Sequence, residues 1–252
     1  MRFGDFRAGD WKTLCWAWVL ILTASSLSLH PVFAQGFTNN DSAKAAAQSR
    51  NHPTAIPVTL LTLRVYNYAS LDSSSLASSE KVATSIFHNV GIDPFWVDCP
   101  TSKLNAVAFQ SCDFPMGPAD FVLRILPKSM ASKARHSQDA LGFAQICSLS
   151  EPACELNVFY HRIDELATKG YRADRLLGYA IAHEVGHILL GPAHSSDGIM
   201  RASWSSSDVD RISLGLALDF SPNQSSELRL ALLRRSALSS PNILAQAILK
   251  AR

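Results

Sequence analysis

The 252-residue sequence has almost no charge imbalance, with 23 lysines and arginines against 21 aspartates and glutamates. A basic surface of the kind that holds nucleic acid or an anionic membrane is therefore not expected. There is no G-x-S-x-G turn to present a serine nucleophile and no glycine-rich loop of the phosphate-binding kind. No C-x-x-C pair is present to start a four-cysteine zinc site. Beyond residue 34, no apolar run approaches the ~20 residues that a membrane-crossing helix needs. Nucleophilic and phosphate chemistry thus find no support.

The longest apolar stretch lies at the N-terminus, where Arg2, Arg7 and Lys12 precede a run from Leu14 to about Leu29 that ends in Val32-Phe33-Ala34-Gln35. This has the form of a secretory signal peptide over residues 1–34, with small or branched residues before the expected cleavage point. Three basic and two acidic residues precede Gln35, so the expected mature chain of 218 residues carries 20 basic and 19 acidic groups. That length suits one domain with a sizeable core. Of five cysteines, Cys15 leaves with the signal, and Cys99, Cys112, Cys147 and Cys154 stay. An even number in an oxidising compartment points to two disulfides. Three connectivities are open, and the local pairs Cys99 to Cys112 and Cys147 to Cys154 are favoured. The expected location is secreted or periplasmic, as a monomer.

Residues 35–55 are rich in Asn, Ser, Ala and Gln and are expected to form a flexible leader, with the folded domain spanning 56–252. Within it, Val58 to Tyr68 reads as a strand, Ser70 to Ser79 as a connection, and Ser79 to Val90 as a helix stopped by Gly91. Phe95 to Asp98, Phe121 to Leu126, Leu141 to Ile146 and Leu156 to Tyr160 fit four short strands. Asp174 to Leu190 is a helix so apolar all round that it must be buried. Shorter helices are expected around Ser207 to Leu218, Ser225 to Leu238 and Asn242 to Lys250.

The polar exceptions on the apolar helix are His183, Glu184 and His187, in the order H-E-x-x-H. Residues four apart share a helix face. Two imidazoles at 183 and 187 can therefore converge on one Zn²⁺, while Glu184, one residue round, reaches a water in the metal's open position. Zinc brings the pKa of such a water to about 7, and Glu184 has the role of general base. Burying a carboxylate and two imidazoles without compensation is costly, and a metal would compensate all three. A third ligand is offered by His194, seven residues after His187 and beyond Gly191-Pro192, where the helix would end and the chain turn back. Asp197 and Asp208 are the alternatives. His52, His88, His136 and His161 read as ordinary surface histidines.

The run His183 to His194, HEVGHILLGPAH, followed by Met200, resembles the metzincin-type zincin-like metallopeptidases, whose pattern is H-E-x-x-H-x-x-G-x-x-H with a later methionine turn. Gly191 and His194 each stand one residue later than in that pattern. The wider run Leu177 to Trp204 is similar to exported bacterial zincin-like proteins. The resemblance implies an α+β zincin-like fold. In such a fold a mostly parallel sheet with an antiparallel edge strand packs on two main helices, followed by a helical C-terminal part. It implies Leu141 to Ile146 as the edge strand receiving an extended peptide, with Cys147 and Cys154 tying the turn that follows. It also implies a zinc metallopeptidase, with His183, His187 and His194 as metal ligands, Glu184 as catalytic base and peptides or proteins as substrates. A non-catalytic secreted zinc-binding module that holds a protein partner is the other reading.

Overall fold

A computed structural model of the chain describes residues 59–102, 112–131 and 140–238. The expected signal peptide, leader, His52, His136 and the helix at Asn242 to Lys250 lie outside the described residues. Alternation of burial builds the first strand, β1 (Thr59–Asn67). Leu61, Leu63 and Val65 turn inward and are almost wholly buried, whereas Leu60 on the other face is exposed. β1 is the second strand of a five-stranded sheet of order β2 (Ile92–Cys99), β1, β3 (Asp120–Leu126), β5 (Cys154–Phe159) and β4 (Gly142–Ala144). Its partners are β2 and β3, both parallel to it, and β5 runs parallel to β3. Phe121, Leu123 and Ile125 continue the inward face of β1 across β3, and Leu156 and Val158 continue it across β5.

The edge strand β4 (Gly142–Ala144) is antiparallel to β5 and only three residues long. Its expected span of Leu141 to Ile146 is too long, since Ile146 is about half exposed. Pairing does reach one residue either side: Phe159 N donates to Leu141 O at 2.7 Å, and Gln145 N donates to Glu155 O at 2.8 Å.

The first helix, α1 (Ser73–Asn89), begins six residues before its expected start. The serine-rich stretch read as a connection forms its first turn, because Asp72 caps it, accepting from Ser74 N at 3.0 Å and Ser75 N at 2.9 Å. Leu76 then joins Ala83, Ile86 and Phe87 on the buried stripe. Two helices have no counterpart in the sequence reading: α2 (Lys128–Ala131) and α3 (Tyr160–Ala167). α3 follows β5 without a break and buries only Ile163, so it shows no periodicity that a sequence window detects. His161 accordingly stands in the first turn of a helix.

α4 (Ala173–Leu190) is the central element, with every residue from Leu176 to Ile188 buried. Its apolar side chains share one core with the sheet, α1, α5 (Ser206–Leu214) and α6 (Pro222–Leu238). α1 and α4 touch at Gly178, where an added Cβ would lie 2.7 Å from Val82 and 2.8 Å from the Ser79 carbonyl oxygen. The expected cysteine pairs are in disulfide-bonding positions, Cys99 with Cys112 and Cys147 with Cys154, at Cα separations of 5.8 and 5.9 Å. Arg235 of α6 reaches the second pair, donating to Cys147 O and to Cys154 Sγ, each at 3.5 Å.

Two stability measurements follow from this packing. Gly178→Ala drives a methyl against backbone that cannot yield, and an unfolding free energy lower by about 1–3 kcal/mol is expected in urea titrations. A variant as stable as the wild type would mean that α1 and α4 separate without loss. On α1, Glu80 has a buried Oε1 with no hydrogen-bond partner, and burial, followed by the charge of Asp98, pushes its carboxyl up to about 7. Folding therefore favours the neutral acid. The contribution is fully present below the ordinary value of 4.5 and is lost as pH rises through about 7. Glu80→Gln is expected to gain stability over the wild type at pH 8 and to lose that advantage at pH 4.5. An equal difference at both pH values would remove Glu80 as the source.

Candidate metal centre

Helical geometry places His183 and His187 on the same face of α4, one turn apart, and both are buried. What orients their rings is backbone. His183 Nδ1 lies 2.8 Å from Ile199 O, and His187 Nδ1 lies 3.0 Å from Gly191 O. A carbonyl only accepts, so each Nδ1 carries the proton, and each neutral ring presents a lone pair at Nε2. These two Nε2 atoms face each other at 3.0 Å. Two lone pairs at that distance repel unless a proton or a cation stands between them. Burial pushes His183 down to about 3 and lowers His187 as well, so an imidazolium is disfavoured. A metal cation between the rings would remove that repulsion. The spacing is close to the ~3.3 Å that separates two nitrogens bound at ~2.05 Å to a tetrahedral zinc.

His194 completes the group. The ligand atoms of His183, His187 and His194 all lie within 4.8 Å of one another, and no other such group of three occurs among the described residues. The ring of His194 is centred 4.7 Å from that of His187 and 5.6 Å from that of His183. His194 is the exposed member, which gives the centre its face to solvent. The connection that delivers it depends on Gly191, whose φ of 91° and ψ of −172° belong to a region essentially confined to glycine. The same residue ends the helix, its N–H donating to His187 O at 3.0 Å while its own carbonyl takes the His187 ring. After His194, Ser195 N donates to Met200 O at 2.8 Å, closing a turn that holds Ile199 and Met200 under the helix.

Met200 is buried at 1% exposure and fills the space left by Gly186, where an added Cβ would lie 2.4 Å from its Sδ. The methionine therefore sits directly against the turn of α4 that separates the two histidines.

Glu184 is 2% exposed, and its Oε2 has no hydrogen-bond partner among the described residues. Burial pushes its carboxyl up to about 8. A buried polar group left without a partner costs about 1–3 kcal/mol, a large share of the 5–15 kcal/mol that holds a domain together. An adjacent divalent cation would restore the carboxylate by charge attraction. Its other oxygen leans on the edge strand: a Cβ on Gly142 would come within 2.8 Å of Oε1.

The aspartates kept open by the sequence do not join the group. Asp208 Oδ2 accepts from Arg201 Nη1 at 2.7 Å and from Ser205 N and Oγ, each at 2.8 Å, so that it caps α5. Asp197 is exposed, and its carbonyl takes the Ser195 hydroxyl. His88 pairs with Asp93 on the surface at 3.0 Å, away from the centre. The carbonyls of Ile199 and Gly191 were not foreseeable, since no residue type marks a backbone acceptor. Trp204, whose Nε1 donates to Ile199 O at 3.2 Å, has a detectable type but no spacing that singles it out.

No family model and no curated protein matches the chain. Among solved structures it is similar to an archaemetzincin from Methanopyrus kandleri, with 18% identity and a TM-score of 0.40 over 69% of this chain and 96% of that one. It is also similar to metalloproteinase-II from Bacteroides fragilis, with 11% identity and a TM-score of 0.42 over 69% of this chain and 54% of that one. The chain thus spans about half the length of the second protein. In its own topology the chain is α+β, a mostly parallel five-stranded sheet with one antiparallel edge, packed with a buried H-E-x-x-H helix that a third histidine meets, which is the fold class expected from the sequence.

Proposed function

We propose that the chain is an exported zinc-dependent peptidase in which His183, His187 and His194 hold the metal and Glu184 is the general base. The observation that carries this reading is the pair of Nε2 lone pairs facing each other at 3.0 Å, with a third imidazole beside them. Bound zinc supplies Lewis acidity, acidifying water and polarising a peptide carbonyl. The protein supplies the proton path. Glu184 Oε2, which has no hydrogen-bond partner among the described residues, accepts the proton of the attacking water and returns it to the nitrogen of the departing amine, so that one amide and one water become one acid and one amine.

Among the described residues β4 is an edge strand of the sheet, and its Gly142 lies beside Glu184. An extended peptide adding to that edge by backbone hydrogen bonds would bring its carbonyl to the centre. Export is supported by the signal-like N-terminus and by cysteines lying in pairs.

Two variants test the roles separately. After dialysis, metal analysis of the purified protein is expected to give one zinc per chain, and His194→Ala is expected to lose or weaken it. A folded wild type that takes up no zinc would overturn the reading. Glu184→Gln is expected to keep its zinc and to lose at least about 10²-fold in turnover of a quenched fluorescent peptide library. Undiminished turnover in that variant would remove Glu184 from the mechanism. Stoichiometric zinc without cleavage of any peptide by the wild type would leave the zinc-binding module that holds a partner.

A further inference from the structure

We infer that Trp204 is a positioning residue of the metal centre, setting the direction in which His183 presents its Nε2. The inference rests on the metal reading above.

The Ile199 carbonyl accepts from His183 Nδ1 at 2.8 Å and from Trp204 Nε1 at 3.2 Å. Both lone pairs of one buried oxygen are thereby used. On the other side of the same residue, the Ile199 N–H donates to Asp219 O at 3.2 Å. Ile199 is thus held through both of its backbone polar groups, and neither tether depends on a metal. Without the indole, the carbonyl would have only the imidazole itself to fix it, and ring and acceptor could swing together.

The indole also acts as a wall. Its ring stands 6.2 Å from the His183 ring at an interplanar angle of 88°, and 6.2 Å from the Tyr179 ring at 87°. Trp204 is 1% exposed and Tyr179 is 7% exposed, so this edge-to-face packing is inside the core. The Tyr179 hydroxyl in turn accepts from Leu218 N at 3.3 Å, which anchors the strand of loop that supplies Asp219 O. One aromatic residue therefore restrains the histidine in two independent ways, by hydrogen bond to its acceptor and by contact with its ring.

Partners of this kind are expected to matter more for metal affinity than for folding. Groups that orient a ligating histidine typically account for about 10–100-fold in metal affinity. A tryptophan that merely fills the core would show itself in stability alone.

The test replaces the indole N–H and keeps its shape. β-(3-Benzothienyl)alanine placed at position 204 retains the bicyclic ring and lacks the donor, so the protein is expected to fold. Trp204→Phe serves as the genetically simple companion. Zinc dissociation constants are measured by chelator competition on the full mature chain, alongside visible spectra of the Co²⁺-loaded protein and thermal unfolding of the metal-free form. About 10-fold or more weaker zinc binding in the benzothienyl variant, with altered Co²⁺ d–d bands and an unfolding temperature near that of the wild type, is the expected result. Zinc binding as tight as in the wild type, with unchanged bands, would overturn the positioning role while leaving the metal reading intact. A wild type that binds neither Zn²⁺ nor Co²⁺ would overturn both.

Discussion

Two neutral imidazoles held with their lone pairs opposed, inside a helix buried on every side, are the constraint around which this chain is arranged. In water such a pair would rotate apart or pick up a proton. Here rotation is stopped by the carbonyls of Ile199 and Gly191, and protonation is opposed by the loss of solvent around α4. Glu184 adds a carboxyl oxygen with no partner on the next residue of the same helix. The fold thus carries at one place a set of unmade interactions that a packed apolar helix would avoid. A single divalent cation would meet all of them together. That unity sets the group apart from three unrelated buried polar residues.

Much of the remaining structure keeps the set in place. The sheet supplies a rigid floor, and α1 presses on α4 from the side through the contact at Gly178. The loop after α4 performs several tasks within fourteen residues, since residues 191–204 provide the third histidine, both orienting carbonyls, the methionine under the helix and the indole behind His183. Such a loop is dictated more by backbone direction than by side-chain type. Gly191 shows this most clearly, because its carbonyl and its N–H serve the same histidine from opposite sides of one peptide turn.

Legibility in the sequence follows the same division. The H-E-x-x-H spacing is a property of helical periodicity, so it could be read directly, and His194 could be matched by its place beyond Gly191-Pro192. The strand order also emerged, because inward-facing residues of a sheet under helices form short apolar runs. α1 was read late at its start because a cap is a geometric relation between Asp72 and the amides of Ser74 and Ser75, while composition alone marks the same serines as a loop. α3 carries no such signal, because Ile163 is its one buried residue. Asp208 could be removed from the ligand candidates only when Arg201 and Ser205 were seen to occupy it. A carboxylate's availability is a matter of neighbours that are not adjacent in sequence.

The spacing departure at Gly191 and His194 follows from the same physics. A ligand after a helix end needs only that the intervening backbone return to the metal, and one additional residue alters the path without altering the end point, provided a turn is available that ordinary residues resist. Gly191 supplies that turn, and the Ser195 to Met200 hydrogen bond closes the loop behind it. The meeting of the three imidazoles is therefore specified by the ends of the loop, the Gly191 turn on one side and the Ile199 to Met200 floor on the other, and only weakly by the count of residues between them. A pattern defined by fixed spacing would pass over this chain although its three imidazoles meet.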